Sequence, residues 1–506
     1  MIALPVMLAT FMVILDTSIV VVALPYIAGN LGATQDESTW VLTSYLVANA
    51  VILPASAWLS SFLGRKRFLI GCTVLFTLAS LTCGVAISMP MLVVARVLQG
   101  LGGGAMQPLA QAILLESFPP TKRGTATALF GLGIVVAPII GPTLGGWLTD
   151  QLSWRWTFFI NLPVGALAIF LMVLVIEDPP YIRAGRPDRV DALGFLLMML
   201  FLGTLQILLD KGQDADWFSA VWLRWFALIS GLSLIGFIVR ELLIRQPIVD
   251  LRVFKNRNFA VSSALFGLFG LALYALITLQ PLFLQSLLGY TALDAGLSVT
   301  PRGVGALAAL LVVGALVGRV NAKLLVGFGF AIMGLSSLLL SRLSLQMSMA
   351  SIIPANIFAG IGTSFIFVPL TTLAIGTLPN EQIGNATGIQ NLVRNIGGSI
   401  GLSFVSTMLQ RYAQAHQALM IGKLSALSAP YPARLGLVQR LLEMHFGPID
   451  ALARARELLY RLVVQQSSYW AFMDIFFVIA CLCVFCVLCV PIFERPRAAR
   501  AVSLAE

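Results

Sequence analysis

The stretch QGLGGGAMQPLAQAILLESFPPTKRGTAT (residues 99–127) has a second version further along the chain, AGIGTSFIFVPLTTLAIGTLPNEQIGNAT (residues 359–387). At an offset of 260 residues, the two stretches align Gly100 with Gly360, Gly102 with Gly362, Pro119 with Pro379, Gly124 with Gly384, Ala126 with Ala386 and Thr127 with Thr387. A shorter echo relates LGRKR (residues 63–67) to VGRVNAK (residues 317–323). Self-similarity at a long, fixed offset is typical of a duplicated architecture. The sequence therefore predicts two like halves in one chain.

The composition is that of a membrane protein. Of the 506 residues, 58% are hydrophobic and 11% are charged, and the mean hydropathy is +0.93. Soluble domains carry about 25% charged residues, and about 20 apolar residues span a bilayer core about 30 Å thick. The first apolar stretch is too long for a signal peptide and has no basic segment before it. We expect it to remain as the first spanning helix of an all-α, polytopic membrane protein.

Apolar runs bounded by charged residues, proline or glycine predict fourteen membrane helices. They cover approximately residues 3–27, 38–62, 68–88, 91–116, 124–149, 156–176, 190–209, 220–239, 259–285, 293–318, 323–343, 350–377, 384–411 and 469–491. Together with the repeat, this count predicts a six-helix half (1–176), two inserted helices with linkers (177–258), a second six-helix half (259–491) and a tail (492–506). The second half contains a long polar connection, residues 412–468.

Basic residues are concentrated in alternate connections. These are Arg65, Lys66, Arg67, Lys122, Arg123, Arg183, Arg186, Arg189, Arg240, Arg245, Arg252, Lys255, Arg257, Arg319, Lys323, Arg495, Arg497 and Arg500. By the positive-inside rule both termini are cytoplasmic and residues 412–468 lie outside. The excess of Lys and Arg in these connections also explains the net charge of +10. We therefore expect the protein to contact membrane lipid and not nucleic acid.

A carboxylate interrupts the first helix, in LDTSIVVVALP (residues 15–25). Asp16 lies near the predicted bilayer centre, where an unpaired charge costs several kcal/mol. Other acidic residues fall in connections, or, like Glu116 and Asp474, near enough to a helix end to reach the interface. Arg96, in the fourth helix of the same half, is its natural partner. The pair predicts a proton-coupling site beside a water-filled cavity, with a permanent structural pair as the alternative.

Four motifs resemble one family. Residues 15–25 match the first-helix pattern of fourteen-helix drug:proton antiporters. AWLSSFLGRKR (residues 57–67) matches the loop motif of their superfamily, with Ser61 in place of the usual Asp. RVLQG (residues 96–100) matches its fourth-helix motif, and APIIGPTLGG (residues 137–146) resembles the antiporter signature G-P-x-x-G-G.

Two further segments, LDKGQDADWFSA (residues 209–220) and NLVRNIGGSIG (residues 391–401), look like the EmrB subgroup. The chain is thus identified as similar to the EmrB/QacA-like drug:proton antiporters of the major facilitator superfamily. The resemblance implies a major facilitator fold in a bacterial inner membrane, with two halves that rock about a central site. It also implies proton-coupled efflux of lipophilic drugs or other toxic compounds.

The resemblance assigns gating to residues of two motifs: Gly64, Arg65, Lys66, Gly141, Pro142, Gly145 and Gly146. Gly141 and Gly145 allow close helix approach and Pro142 frees a carbonyl, which suits a hinge or a seal against proton leak. Static packing is the alternative for the glycines, and lipid head-group contact is the alternative for the basic residues.

The substrate is predicted to be neutral or anionic. The second half has no deep carboxylate but carries two intramembrane arginines, whereas exporters of cations usually offer an acidic or aromatic lining. The candidates for the substrate cavity are Gln99, Arg302, Asn391 and Arg394. Either arginine could instead pair with a helix carbonyl or reach an interface.

Other classes of function find little support in the sequence. No nucleotide-binding loop or nucleophile–base pair is visible, so we expect no catalytic residues, no cofactor other than the coupling proton, and no enzyme. Four of the six cysteines crowd residues 481–489 without His or carboxylate, so no metal site is predicted. A dedicated exporter of a metabolite, organic acid or siderophore remains an alternative, followed by an uptake symporter or a receptor.

The 412–468 connection is either a docking surface for a periplasmic adaptor and outer-membrane channel, as in EmrB-like exporters, or a mobile insert.

Overall fold

The computed structural model describes residues 2–119, 122–177, 191–244, 247–376, 378–422 and 430–494, which are helical and contain no strand. The α-helices are α1 (Ala3–Leu31), α2 (Gln35–Leu63), α3 (Arg65–Gly84), α4 (Met89–Ser117), α5 (Arg123–Gln151), α6 (Trp156–Phe159), α7 (Asn161–Val175), α8 (Ala192–Lys211), α9 (Val221–Leu243), α10 (Arg257–Leu288), α11 (Ala292–Leu316), α12 (Ala322–Leu340), α13 (Ile353–Ile375), α14 (Asn380–Ile421), α15 (Pro430–Glu443) and α16 (Pro448–Cys489). Short 3-10 helices cover Trp217–Ser219, Leu251–Lys255, Met349–Ile352 and Val490–Ile492.

The all-α membrane fold predicted from composition is confirmed. Within the described residues, 12 helical segments are long and apolar enough to cross a membrane, one of them formed by α6 and α7 together. Helices stand at all the predicted positions, but α5 and α14 are not among the 12. The count of fourteen spans therefore stays a prediction at those two positions.

Equivalent glycines of the repeat pack equivalent helix pairs. A Cβ at Gly100 of α4 would lie 2.5 Å from the Tyr45 carbonyl oxygen of α2. At Gly360 of α13 a Cβ would collide with the Arg302 carbonyl oxygen of α11. Without a hydrophobic force between helices in lipid, small residues that permit backbone contact hold such pairs together. The sequence repeat therefore corresponds to a repeated helix packing.

The inserted pair, α8 and α9, bridges the two halves. On the α2 side, Lys211 Nζ donates to Thr39 Oγ1 at 2.6 Å. On the α14 side, Ser399 Oγ donates to Gln206 Oε1 at 2.9 Å, and Trp217 Nε1 donates to Thr407 Oγ1 at 3.2 Å. The pair is therefore part of the packed bundle and connects α2 to α14.

Asp191 fixes the start of α8. Its carboxylate accepts from Gly194 N at 3.1 Å, which caps the helix, and pairs with Arg240 of α9 at 3.0 Å. Burial alone would raise the pKa of Asp191, but the hydrogen bond from Arg240 and that from Gly194 outweigh it and hold the pKa below its ordinary value. The carboxylate thus stays charged as cap and ion-pair partner.

The two halves meet at one end of the bundle. We call this the basic end, where α2 adjoins α3 (residues 63–67) and α4 adjoins α5 (residues 117–123). Here Asn391 Nδ2 donates to Gln111 Oε1 at 2.8 Å, joining α14 to α4. A Cβ at Gly124 of α5 would lie 2.7 Å from the Val317 side chain after α11. Of the basic residues that predicted the topology, Arg183, Arg186, Arg189, Arg245, Arg495, Arg497 and Arg500 lie outside the described residues.

The connection predicted over residues 412–468 is largely helical. α14 and α16 each have 42 residues, or about 63 Å at 1.5 Å per residue, twice the bilayer core of about 30 Å. They continue past the membrane and carry α15 between them. The boundary predicted at residue 412 separates a membrane span from an external segment and stays a prediction, and α14 continues beyond it to Ile421. Asp474, expected to reach the interface alone, contacts His416 of α14 at 2.7 Å.

Candidate functional site

Asp16 lies at the centre of a fully buried polar cluster. Its Oδ2 accepts from Arg96 Nη1 at 2.6 Å. Its Oδ1 accepts from Gln99 Nε2 and from Asn161 Nδ2, both at 2.8 Å. Side chains of α1, α3, α4 and α7 form the cluster, and α2 supports it. Both carboxylate oxygens are therefore satisfied, which a charge at this depth requires.

Arg96 is held by the backbone and by aromatic rings as well as by Asp16. Its Nε donates to the Val41 carbonyl oxygen at 3.0 Å, and its Nη1 also donates to Gln99 Oε1 at 2.8 Å. Its Nη2 has no hydrogen-bond partner within the described residues. The guanidinium instead lies over the Tyr45 ring, 4.2 Å from the ring centroid, where the ring face attracts a cation.

Asn161 and Ser80 belong to the site but were missed by sequence reasoning. Asn161 Nδ2 also donates to Ser80 Oγ at 3.0 Å, and Ser80 Oγ donates to the Phe158 carbonyl oxygen at 2.9 Å. The available signal was an amide side chain inside the apolar run of the sixth predicted span. The cluster thus links α1 and α4 to α3 and α7.

The structure differs from prediction in the access of water to Asp16. The sequence predicted a water-filled cavity beside the carboxylate, but Asp16, Arg96 and Gln99 are each 0% exposed. The side-chain donors of Arg96, Gln99 and Asn161 surround the carboxylate and bury it. In this conformation the carboxylate is closed to both ends of the bundle.

The α5 glycines fit tightly against α1 beside this cluster. A Cβ at Gly141 would lie far inside van der Waals contact of the Ser18 Cβ, and at Gly145 it would lie 3.0 Å from the Ile19 carbonyl oxygen. A Cβ at Gly146 would meet nothing within 4 Å. The Pro142 side chain lies outside the described residues. Close helix approach is therefore served by Gly141 and Gly145, and not by Gly146.

The loop motif forms an ion pair at the basic end. Gly64 has φ of +89° and is the N-cap residue of α3, a conformation suited to glycine. Arg65 pairs with Glu116, with side chains 6% and 10% exposed, and lies beside Gly384 of the other half. Lys66 Nζ donates to the Val173 carbonyl oxygen at 2.7 Å. Glu116, predicted at the end of the fourth helix, is there the partner of Arg65, in a chain whose loop motif has Ser61 in place of the usual Asp.

We expect Glu116→Gln to loosen the closed basic end, because losing one partner of a buried ion pair costs about 3–5 kcal/mol. Disulfide formation between cysteines placed at Gln111 and Asn391, with Cys481 replaced by serine, measures closure. The yield should fall in Glu116→Gln. The matched control is Glu494→Gln, which breaks an exposed pair with Arg257 (57% and 60% exposed) worth about 0–1 kcal/mol. Equal yields in both variants would refute the role of Glu116.

The four predicted cavity residues are divided among α4, α11 and α14, with Asn391 and Arg394 three residues apart on α14. Gln99 belongs to the Asp16 cluster, and Asn391 lies in the contact between the halves. Arg302 Nη2 donates to Gln280 Oε1 at 2.7 Å and to Asn356 Oδ1 at 3.2 Å. Contact of these residues with a substrate stays a prediction, and Arg302 and Arg394 are the two that carry a charge.

Both arginines are buried beside neutral groups. Arg302 is 8% exposed and Arg394 is 4% exposed. Within the described residues neither has a carboxylate partner, and Arg302 Nε and Nη1 and Arg394 Nε lack hydrogen-bond partners. The Arg394 guanidinium lies 5.9 Å from the Phe367 ring centroid. Buried cations of this kind attract an anion.

Two further carboxylates inside helices were missed. Asp210 of α8 accepts a hydrogen bond from Thr43 Oγ1 of α2. Glu241 of α9 is 1% exposed and accepts from Val249 N at 3.1 Å. The predicted helices ended at residues 209 and 239, so both carboxylates were assigned to connections.

Comparison with known proteins agrees with this architecture. A family model described as Major Facilitator Superfamily matches residues 6–402. The chain belongs to the major facilitator superfamily. The multidrug export protein EmrB of Escherichia coli (strain K12) is 38% identical over 81% of this chain and 80% of its own length. The fatty acid resistance protein FarB of Neisseria gonorrhoeae is 36% identical over 83% of each chain.

A solved superfamily structure supports the fold independently. The proton:xylose symporter XylE, in complex with 6-bromo-6-deoxy-D-glucose, has a TM-score of 0.58 at 16% identity and covers 96% of this chain and 94% of its own. At that identity the likeness concerns the fold alone. The resemblance inferred from the motifs is confirmed, and a major facilitator protein with these relatives is a transporter and not an enzyme.

Proposed function

We propose that this protein is a proton-driven exporter of lipophilic compounds, neutral or anionic, in a bacterial inner membrane. The observation that carries the proposal is the Asp16–Arg96 pair, an ionisable pair fully buried at mid-membrane depth in a chain whose relatives are named for multidrug export and fatty acid resistance. An ionisable side chain inside a membrane marks a functional site by default, and proton relays are among the roles of such carboxylates. No covalent chemistry is required.

The proton cycle follows from the enclosure of Asp16. Rocking of the halves opens the cluster to one side of the membrane at a time, and Asp16 binds or releases its proton only when water reaches it. In the present conformation Asp16 is paired with Arg96 and shut off from water. Proton occupancy is therefore linked to conformation, which is what antiport requires.

We take the basic end as cytoplasmic, because Lys and Arg favour the cytoplasmic connections. The halves meet at that end, so the conformation described here is closed to the cytoplasm. With fourteen spans both termini are cytoplasmic. The helical extension of α14 and α16, with α15, then projects into the periplasm as a docking surface for an adaptor protein that leads to an outer-membrane channel.

Exposed apolar side chains on this extension support the docking role. Leu437 and Leu441, four residues apart on α15, are each 59% exposed, and Met444 is 77% exposed. Residues four apart share one face of a helix. An apolar helix face held above the membrane suits a protein partner.

The substrate-charge proposal is tested by transport in proteoliposomes. An imposed pH gradient should drive uptake of a radiolabelled long-chain fatty acid in excess of protein-free vesicles, and far more than uptake of tetraphenylphosphonium. We expect Arg302→Gln to reduce fatty acid transport about tenfold, the effect of losing about 1.4 kcal/mol of binding, while Arg342→Gln, an exposed arginine, has no effect. Preference for the cation, or full activity of Arg302→Gln, would contradict an anion site at Arg302.

A further inference from the structure

A groove runs along the outer wall of the first half, between that half and α8. Its volume is about 850 Å³ and its lining comes from α2, α3, α4 and α8. The lining is apolar apart from Arg67, and includes Val51, Leu63, Leu75, Leu101, Phe195 and Met199. The groove is separate from the Asp16 cluster and from Arg302.

The groove exists because α8 stands against α2 at one end only. Far from the basic end, Lys211 and Asp210 bond to Thr39 and Thr43, and a Cβ at Gly203 would lie 3.8 Å from the Val47 side chain. Towards the basic end the Asp191–Arg240 pair holds the start of α8 to α9. α8 and α2 therefore diverge, and the wedge between them is widest towards the basic end.

Arg67 is the one basic residue of its cluster whose charge faces this groove. Arg65 pairs with Glu116, and Lys66 donates to the Val173 carbonyl oxygen. Arg67 is exposed and, among the described residues, makes no ion pair or hydrogen bond. A cation at helix-end height above an apolar channel is complementary to a molecule with an anionic head and a long apolar tail.

The length of the groove matches one leaflet. From Val51 to Leu63, α2 rises about 18 Å at 1.5 Å per residue, and half of a bilayer core is about 15 Å. Arg67 thus lies at head-group level and Val51 near the midplane. A single acyl chain of a membrane lipid fits this span.

We propose that the groove is a binding site for an anionic phospholipid, with one acyl chain between α2, α3 and α8 and the phosphate on Arg67. The bound lipid fills the wedge that the inserted helices create. The site would make the fit of α8 against the first half depend on the lipids of the leaflet at the basic end. This inference does not rest on the identity of the transported substrate.

Lipid retention measured by native mass spectrometry tests the site. The full chain is placed in nanodiscs with equal amounts of phosphatidylglycerol and phosphatidylcholine, then released, and the retained lipids are counted. We expect about a fivefold preference for phosphatidylglycerol, the value for one guanidinium near the surface. Arg67→Gln should abolish the preference. Arg319→Gln, at the equivalent connection of the second half, should retain it.

A steric variant tests the groove independently of charge. Gly71 lines the groove and a Cβ there would meet nothing within 4 Å, so Gly71→Leu places a branched side chain in the groove with no collision at its Cβ. It should lose the retained phosphatidylglycerol. Gly231→Leu on α9, also in open space, should keep it. Equal retention of both lipids by the unaltered protein, an undiminished preference in Arg67→Gln, or unaltered retention in Gly71→Leu would each overturn the proposal. The proposal would also be overturned if the controls Arg319→Gln and Gly231→Leu lost as much phosphatidylglycerol as the variants that they match.

Discussion

Asp16→Asn should abolish transport driven by a pH gradient, reducing uptake per folded molecule to the level of protein-free vesicles. The amide retains the size of the carboxylate and can still accept hydrogen bonds, but it carries no titratable proton. It also leaves the buried Arg96 guanidinium without its counter-charge, which costs about 3–5 kcal/mol of stability. Uptake must therefore be normalised to folded protein, measured by size exclusion and thermal unfolding.

The double variant Asp16→Asn/Arg96→Gln separates proton coupling from a structural ion pair. Replacing both charges with neutral groups removes the unpaired buried cation and should recover much of the lost stability. If the pair couples protons, the double variant is stable and still inactive. If the pair is only structural, stability and gradient-driven uptake return together, and the coupling role is wrong. Asp474→Asn, at a carboxylate that is 44% exposed, is the control and should keep full coupling.

The Asp16–Arg96 contact could be predicted by setting aside every charged residue in a connection or near a helix end. A carboxylate at mid-bilayer depth then has few possible basic partners in the same half. The remaining members of the cluster were harder to predict. Asn161 carries no charge, so its presence in an apolar run does not require a partner in the way that Asp16 does. The enclosure from water depends on how the amides of Gln99 and Asn161 are oriented, which helix periodicity does not specify.

The missed carboxylates show the effect of helix boundaries. Asp210 and Glu241 lie only one and two residues beyond the predicted helix ends. A helix predicted from hydropathy ends at the first charged residue. The actual helix continues past that residue where its carboxylate accepts a hydrogen bond, as Asp210 does from Thr43 and Glu241 does from Val249 N. Composition therefore underestimates the length of the polar ends of membrane helices, because that length depends on tertiary hydrogen-bond partners.

The same effect, at larger scale, explains the extension of α14 and α16. Beyond the membrane these helices are polar enough to be assigned to a connection. α16 packs on α14 and on α15, and Ala451 and Ala455 are fully buried. The repeat is visible in the sequence because its glycines lie at close helix contacts, where backbone geometry constrains the residue. An inserted segment outside the repeat carries no such signal.

Gly141→Ala should impair transport strongly, whereas Gly146→Ala on the same helix should not. The added methyl group at position 141 collides with the Ser18 Cβ, and Ser18 is fixed because its hydroxyl donates to the Ile14 carbonyl oxygen at 2.6 Å. Normal contact between carbon atoms needs about 3.5–4.0 Å, so α1 and α5 must separate. Asp16 lies two residues from Ser18, so its hydrogen bonds to Gln99 and Asn161 would be displaced with it.

The expected cost is about 1–3 kcal/mol of stability, typical of overpacking, together with loss of gradient-driven uptake per folded molecule. Removing the colliding atom with Ser18→Gly should restore uptake to Gly141→Ala, although a helical glycine itself costs about 1 kcal/mol. If the α5 glycines serve static packing alone, Gly141→Ala lowers the amount of folded protein but leaves uptake per folded molecule unchanged. If these glycines form a seal beside the proton site, uptake per folded molecule falls, because a displaced α1 alters the access of water to Asp16 in every molecule that folds.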